Sequence, residues 1–161
     1  GVVPGLAIYY LMNQALGFPS SGWQMLFPYL GFIITLGSCY RLANFNIDTR
    51  QTDSFIGLPT PANALFILSL PLILLDNQYG FISQALSNPW ILLVISLFSA
   101  FMLNAEIPLF SLKVKSASFA KNKLQIVFLT VSVLLLVFFK ALGIPLLILF
   151  YILLSVLTNK K

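Results

Sequence analysis

The stretch LQIVFLTVSVLLLVFF at residues 124–139, the break KALG at 140–143 and the stretch IPLLILFYILLSVL at 144–157 together decide the fold class. Neither apolar run alternates with polar residues, which argues against the strands of a β-barrel. Lipid then leaves the α-helix as the remaining spanning structure. A helix crossing about 30 Å of hydrocarbon needs roughly 20 apolar residues, with about 17 as a lower limit. Lys140, Gly143 and Pro145 interrupt the two runs, and Pro145 can open a helix. The region therefore reads as a helical hairpin rather than one long helix.

The whole chain supports that reading. Of 161 residues, 59% are apolar and 8% are charged, and the mean hydropathy is +0.96. A soluble domain averages about 45–50% apolar and about 25% charged. Nine Lys+Arg and four Asp+Glu cannot coat a globular surface in water. Composition thus excludes an ordinary soluble domain, a disordered segment and a disulfide-rich secreted module. Histidine is absent, so a Ser-His-Asp triad and His-ligated metal are excluded. Cys39 is the single cysteine, which excludes an intrachain disulfide and a cysteine zinc site. The chain starts at Gly1 inside an apolar stretch, without the charged region of a signal peptide. The expectation is a fragment whose upstream part is missing.

Working outward from 124–157, six segments approach the length of a span: 2–17, 23–43, 61–75, 89–110, 124–139 and 144–157. The expected fold is an all-α, polytopic transmembrane helix bundle forming a single membrane domain over 1–161, with no internal repeat. Turns are expected at Phe18-Pro19-Ser20-Ser21-Gly22, in a longer loop from Asp76-Asn77-Gln78-Tyr79-Gly80 to Asn88-Pro89, and at Lys140–Gly143. Six alternating spans put Arg41, Arg50, Lys113, Lys115, Lys121, Lys123, Lys160 and Lys161 on one side and Lys140 alone on the other. Positive residues mark the cytoplasmic face.

The polar chemistry lies at that face. Arg41 and Asn44 are three residues apart at the end of the second span and share a helix face. Two readings of Arg41 stand. It is a positive-inside anchor, or its guanidinium addresses a phosphate or carboxylate, which its planar fork suits. The stiff Gly57-Leu58-Pro59-Thr60-Pro61 reads as a helix entry with Thr60 as N-cap and Pro61 at the first helical position. Asp48 and Asp53 read as a solvated loop or as a metal or acid/base pair. Asn104 and Glu106 lie near a span end, where Glu106 is interfacial or, at mid-bilayer depth, a functional group. Lys113, Lys115, Lys121 and Lys123 attract anionic head groups or a phosphate-bearing substrate. Gly1 and Gly5 form a small-residue pair suited to close helix packing, interrupted by Pro4. No nucleotide-binding glycine loop or HExxH motif is present.

Gly1-Val2-Val3-Pro4-Gly5, Arg41-Leu42-Ala43-Asn44-Phe45-Asn46 and Phe55-Ile56-Gly57-Leu58-Pro59-Thr60-Pro61 resemble the CDP-alcohol phosphatidyltransferase family, and within it the bacterial membrane-integral branch that uses serine. Ile107-Pro108-Leu109-Phe110-Ser111-Leu112-Lys113 shares the likeness, and the last two spans add little to it. The family's D-G-x2-A-R-x8-G-x3-D-x3-D signature is absent here. In relatives a segment like residues 1–5 follows its last aspartate.

The resemblance therefore implies that the metal site and the catalytic base lie upstream of Gly1, on two further spans. No residue here is a metal ligand. It implies attack of the L-serine hydroxyl on the β-phosphate of CDP-diacylglycerol, giving phosphatidylserine and CMP, with Mg²⁺ or Mn²⁺ on the upstream aspartates. It implies the bacterial cytoplasmic membrane as location, a cytoplasmic active site, membrane lipids as surroundings and a homodimer as a common state.

The acceptor side is what remains for this chain. Arg41 would bind the serine carboxylate or a phosphate, with Asn44, Asn46 and Thr60 as polar partners and Lys113 drawing head groups. This chain alone is expected to be inactive. Three alternatives stay open: another acceptor, such as glycerol 3-phosphate or an inositol phosphate, a small transporter or channel subunit, and a purely structural assembly fragment.

Overall fold

The computed structural model describes residues 1–18, 21–47, 55–76, 80–109 and 123–159. Helix α1, Val2–Ala15, carries Pro4 in its first turn, where a backbone N–H lacks an intrahelical partner in any case. The chain reverses at Gly17 and Gly22, both with positive φ. It returns through 3₁₀ segments Trp23–Met25 and Phe27–Phe32 into α2, Ile33–Ile47. The first part of the second expected span, 23–43, is thus 3₁₀ over Trp23–Met25 and Phe27–Phe32.

Small residues let these two arms approach. A Cβ on Gly1 would lie 2.5 Å from Ser38 Cβ, and one on Gly31 would lie 2.9 Å from Ile8 Cγ2. A Cβ on Gly5 would collide with Thr35 Oγ1. Thr35 Oγ1 donates to the Gly1 carbonyl at 3.1 Å. The Gly1/Gly5 pair is therefore used for packing in spite of Pro4.

Helix α3, Thr60–Asp76, contains Pro71. Its first helical bond runs from Asn63 N to Pro59 O at 3.0 Å. The residue whose carbonyl accepts that bond holds the N-cap position. Pro59 is therefore the N-cap, which corrects the expectation for Thr60.

The loop expected before Pro89 contains a seven-residue helix, α4, Gly80–Leu86, set at 80° to the helix that follows. Helix α5, Pro89–Asn104, starts as the sequence indicates. Asn88 Oδ1 accepts from Trp90 N at 3.0 Å, and Pro89 opens the helix. It ends at Asn104, short of the expected Phe110. Pro108 biases Ile107 away from helical φ/ψ, and residues 108–109 form an extended strand instead.

That strand, β2 (Pro108–Leu109), pairs antiparallel with β1 (Phe55–Ile56), with Phe55 opposite Leu109 and Ile56 opposite Pro108. Apart from this two-residue pair, the architecture of the described residues is all-α.

Helices α6, Lys123–Phe139, and α7, Gly143–Asn159, are joined by the 3₁₀ turn Lys140–Leu142. Phe128 stacks on Phe150 with centroids 6.2 Å apart, and a Cβ on Gly143 would lie 2.5 Å from the Leu135 carbonyl oxygen. In a straight helix residues 128 and 150 would be about 33 Å apart. The two helices therefore fold back as the hairpin read from the sequence.

Two buried clusters hold the bundle together. One gathers Ile8, Leu11, Met12, Ile34, Ile67, Leu70, Ile73, Leu92 and Leu103 from α1, α2, α3 and α5. The other gathers Leu58, Met102, Leu109, Phe128, Ile148 and Tyr151, docking the hairpin onto the rest. The buried hydroxyls of Ser69, Ser96, Ser132 and Ser155 turn back to their own helices. Ser96 Oγ donates to Leu92 O and Ser132 Oγ to Phe128 O, at 2.8 and 2.6 Å. That satisfies a hydroxyl where water is absent. The exterior is apolar, with Leu36, Leu65, Phe101, Val137 and Phe138 all exposed.

Among the described residues, length and composition allow two continuous stretches to cross a membrane, Trp23–Asn46 and Gln125–Thr158, where six spans were expected. The second is the folded hairpin just described. Helices α1 and α5, with 14 and 16 residues, reach only about 21 and 24 Å, less than the hydrocarbon thickness of about 30 Å.

Candidate functional site

Arg41 lies in the last two turns of α2 and is half-buried. Its Nη1 donates to the carbonyl of Leu103, 62 residues away. That carbonyl is among the last four of α5, which have no intrahelical partner, and the helix dipole is negative there. A fixed guanidinium answers both. It leaves further Arg41 N–H donors for another acceptor, since guanidinium carries five.

Gly57 closes over this contact. Its φ of +73° is the left-handed region that favours glycine. A Cβ there would lie 2.7 Å from Arg41 Nη1, 2.7 Å from Leu103 O and 2.9 Å from Ala105 O. Gly57 N donates to Ile107 O and Leu58 N to Met102 O, each at 2.9 Å. With the β1–β2 pair, these bonds strap the Phe55–Leu58 stretch onto the C-terminal end of α5. Three sequence patches far apart in the chain, around Arg41, Gly57 and Pro108, thus meet at one end of the bundle.

Asn104 ties α2 to the same point. Its Nδ2 donates to Gly37 O at 3.0 Å and to Ala100 O at 3.1 Å, while its Oδ1 is buried without a hydrogen-bond partner. Gly37 permits the approach, since a Cβ there would lie 3.1 Å from Ala100 Cβ. Behind the strap, Ser99 Oγ donates to Asn63 Oδ1 at 2.6 Å, both side chains being buried. Beside that pair is a small cleft of about 10 Å³, lined by residues that include Leu58, Phe98 and Met102.

Of the other residues singled out in the sequence, Asn44 and Thr60 are half-buried and Asn46 is exposed at the end of α2. Lys113, Asp48, Asp53, Lys115 and Lys121 lie outside the described residues. Glu106 and Cys39 are exposed. Gly57 stood in a motif, but its contact with Arg41 did not. Asn104 as a tie and the Asn63–Ser99 pair went unread, because sequence gives no signal for partners 36 or 67 residues apart.

Among the described residues no three of His, Cys, Asp and Glu come together. The described carboxylates, Asp76 at the end of α3 and Glu106 beyond α5, are exposed at opposite ends of the bundle. This donor set does not fit a divalent cation. What the site can do is bind an anion at a half-buried guanidinium.

Comparison with known proteins finds relatives in sequence. Over 84 residues, 51% of the chain, it is 38% identical to the CDP-diacylglycerol–serine O-phosphatidyltransferases of Helicobacter pylori strains 26695 and J99. Over half its length, the chain is similar to serine-using phosphatidyltransferases. The matched part spans about a third of those enzymes, 32% of their length. No protein-family model matches the chain. No solved structure matches it either.

Proposed function

We propose that this chain is the acceptor-side part of a membrane enzyme of phospholipid synthesis. The enzyme belongs to the CDP-alcohol phosphatidyltransferases and transfers the phosphatidyl group of CDP-diacylglycerol to L-serine. One observation carries the reading. The patches around Arg41, Gly57 and Pro108, on which the resemblance rests, converge on one another at the α5 C-terminus. The 38% identity to two enzymes of that name points the same way.

In this reading Arg41 keeps one N–H on Leu103 and offers others to the serine carboxylate or to a substrate phosphate. Asn44, Asn46 and Thr60 supply polar partners, and Lys113 draws anionic head groups. Gly57 and Asn104 hold Arg41 and α5 in place. Arg41 and Lys140 are the cations with described side chains, and Lys140 lies at the far end of the bundle. Among the described side chains Arg41 is the cation at this end, and its guanidinium suits the single carboxylate of zwitterionic serine. Mg²⁺ or Mn²⁺, if the reaction uses it, takes its ligands from outside the described residues.

In this reading the chain crosses the bacterial cytoplasmic membrane six times, the bilayer thinning locally around the short α1 and α5, the Arg41 end faces the cytoplasm and the enzyme is a homodimer. The one-sided charge distribution and the α6–α7 hairpin support the crossing pattern.

The test is an assay on membranes containing the full-length protein. CDP-diacylglycerol and labelled L-serine are supplied in one tube, and glycerol 3-phosphate replaces serine in another. Phosphatidylserine and CMP in the first tube alone support the proposal. CMP release with glycerol 3-phosphate alone would keep the family and discard serine.

A further inference from the structure

We propose that the end of the bundle opposite Arg41 is a membrane anchor in which α4 lies within the lipid head-group layer. Phe81, Trp23 and Trp90 sit at the edge of the hydrocarbon. The proposal rests on the membrane reading of the chain and not on its chemistry.

The geometry starts with the 80° bend between α4 and α5. If α5 follows the bundle axis, α4 runs nearly along the membrane surface. Its inner side is packed: Leu86 is buried and Ile82 is partly buried against the α1–α3–α5 cluster. Its other side is mixed. Gln84, Ser87 and Asn88 are exposed and polar, whereas Phe81 is 84% exposed and neighbouring Leu75 is 81% exposed. Bulk water suits the polar set and penalises the large apolar side chains. Hydrocarbon does the reverse. The head-group boundary satisfies both.

The tryptophans give an independent indication. The chain has two, and both are at this end although 67 residues separate them. Trp23 lies 5.8 Å and Trp90 5.0 Å from the ring of Phe27, which sits between them. Both indoles remain exposed. Indole, with an apolar ring and one N–H donor, collects at membrane–water interfaces. Exposed Lys140 joins the same end, because Ala141 and Leu142 pack on the cluster that contains Leu86. Its long stem can reach from the boundary to the head groups.

The experiment uses full-length protein in phosphatidylcholine–phosphatidylglycerol vesicles, with flotation first to establish association. Lipids brominated near the ester or near the acyl end then quench tryptophan emission. The differences between wild type and Trp23→Phe or Trp90→Phe isolate each indole. Phe81→Trp, in the background lacking both and read as the difference from that background, reports on α4 itself, and its exposure makes the fold tolerant of the change.

The proposal expects all three indoles to be quenched at least about twofold more by the shallow bromine than by the deep one. Preferential quenching by the deep bromine would place α4 in hydrocarbon and overturn it. Quenching by aqueous iodide alone would place α4 in water and overturn it. Resistance to every quencher would mean that protein, such as a second copy, covers the surface, and would also overturn it. Failure to float with vesicles would overturn the membrane reading as well.

Discussion

Gly57 leaves no space between itself and Arg41: a Cβ on Gly57 would lie 2.7 Å from the Arg41 Nη1 that donates to Leu103 O. Backbone conformation and side-chain contact therefore demand glycine at the same position. Gly57→Ala would force a Cβ into a left-handed residue, at about 1–2 kcal/mol, before counting displacement of Arg41. We expect a lower melting temperature in detergent and loss of most transferase activity. Unchanged stability and turnover would remove the strap from the account.

The buried Asn63–Ser99 pair joins α3 to α5. Ser99→Ala leaves the Asn63 amide without its partner. Interhelical hydrogen bonds in membranes are worth about 0.6 kcal/mol on average and up to about 2. We expect a destabilisation of that order, with Asn63→Leu combined with Ser99→Ala recovering part of it. A double-mutant cycle in denaturing detergent measures the coupling, and a coupling near zero would remove this link between α3 and α5.

Gly143 sits against Leu135 across the α6–α7 turn. With exposed Cys39 replaced by serine, spin labels at Phe128→Cys and Phe150→Cys should read a distance well under the roughly 33 Å of a continuous helix. Gly143→Val should lengthen that distance or destabilise the protein. A native distance near the straight-helix value would contradict the hairpin.

The hairpin was legible in the sequence because Lys140, Gly143 and Pro145 interrupt an otherwise uniform apolar run. The start of α5 was legible for a similar local reason, since Asn88-Pro89 is a cap followed by a first-turn proline. Helix α4 was not, because GFISQAL is too short to show a helical period. The end of α5 was misread because Ile107-Pro108-Leu109 is as apolar as a span, while the backbone restriction from Pro108 makes it extended.

At the site, the shared face of Arg41 and Asn44 followed from helical spacing. The Leu103 carbonyl that orients Arg41 is set by the packing of α2 on α5 and leaves no mark in local sequence. The Gly1/Gly5 spacing marked a close approach but not its partner, α2.

Serine kinetics of Arg41 variants test the central claim most directly, in membranes containing the full-length enzyme. A hydrogen bond to a charged group is worth about 1.5–3 kcal/mol, or roughly 10- to 150-fold in kcat/KM. We expect Arg41→Ala to lose catalytic efficiency within that range, with serine KM raised and CDP-diacylglycerol KM little changed. Arg41→Lys should recover part of the loss, because the charge is kept and the planar fork is not. If Arg41→Ala matched the wild type in serine KM and kcat, the assignment of this edge to the acceptor would be wrong.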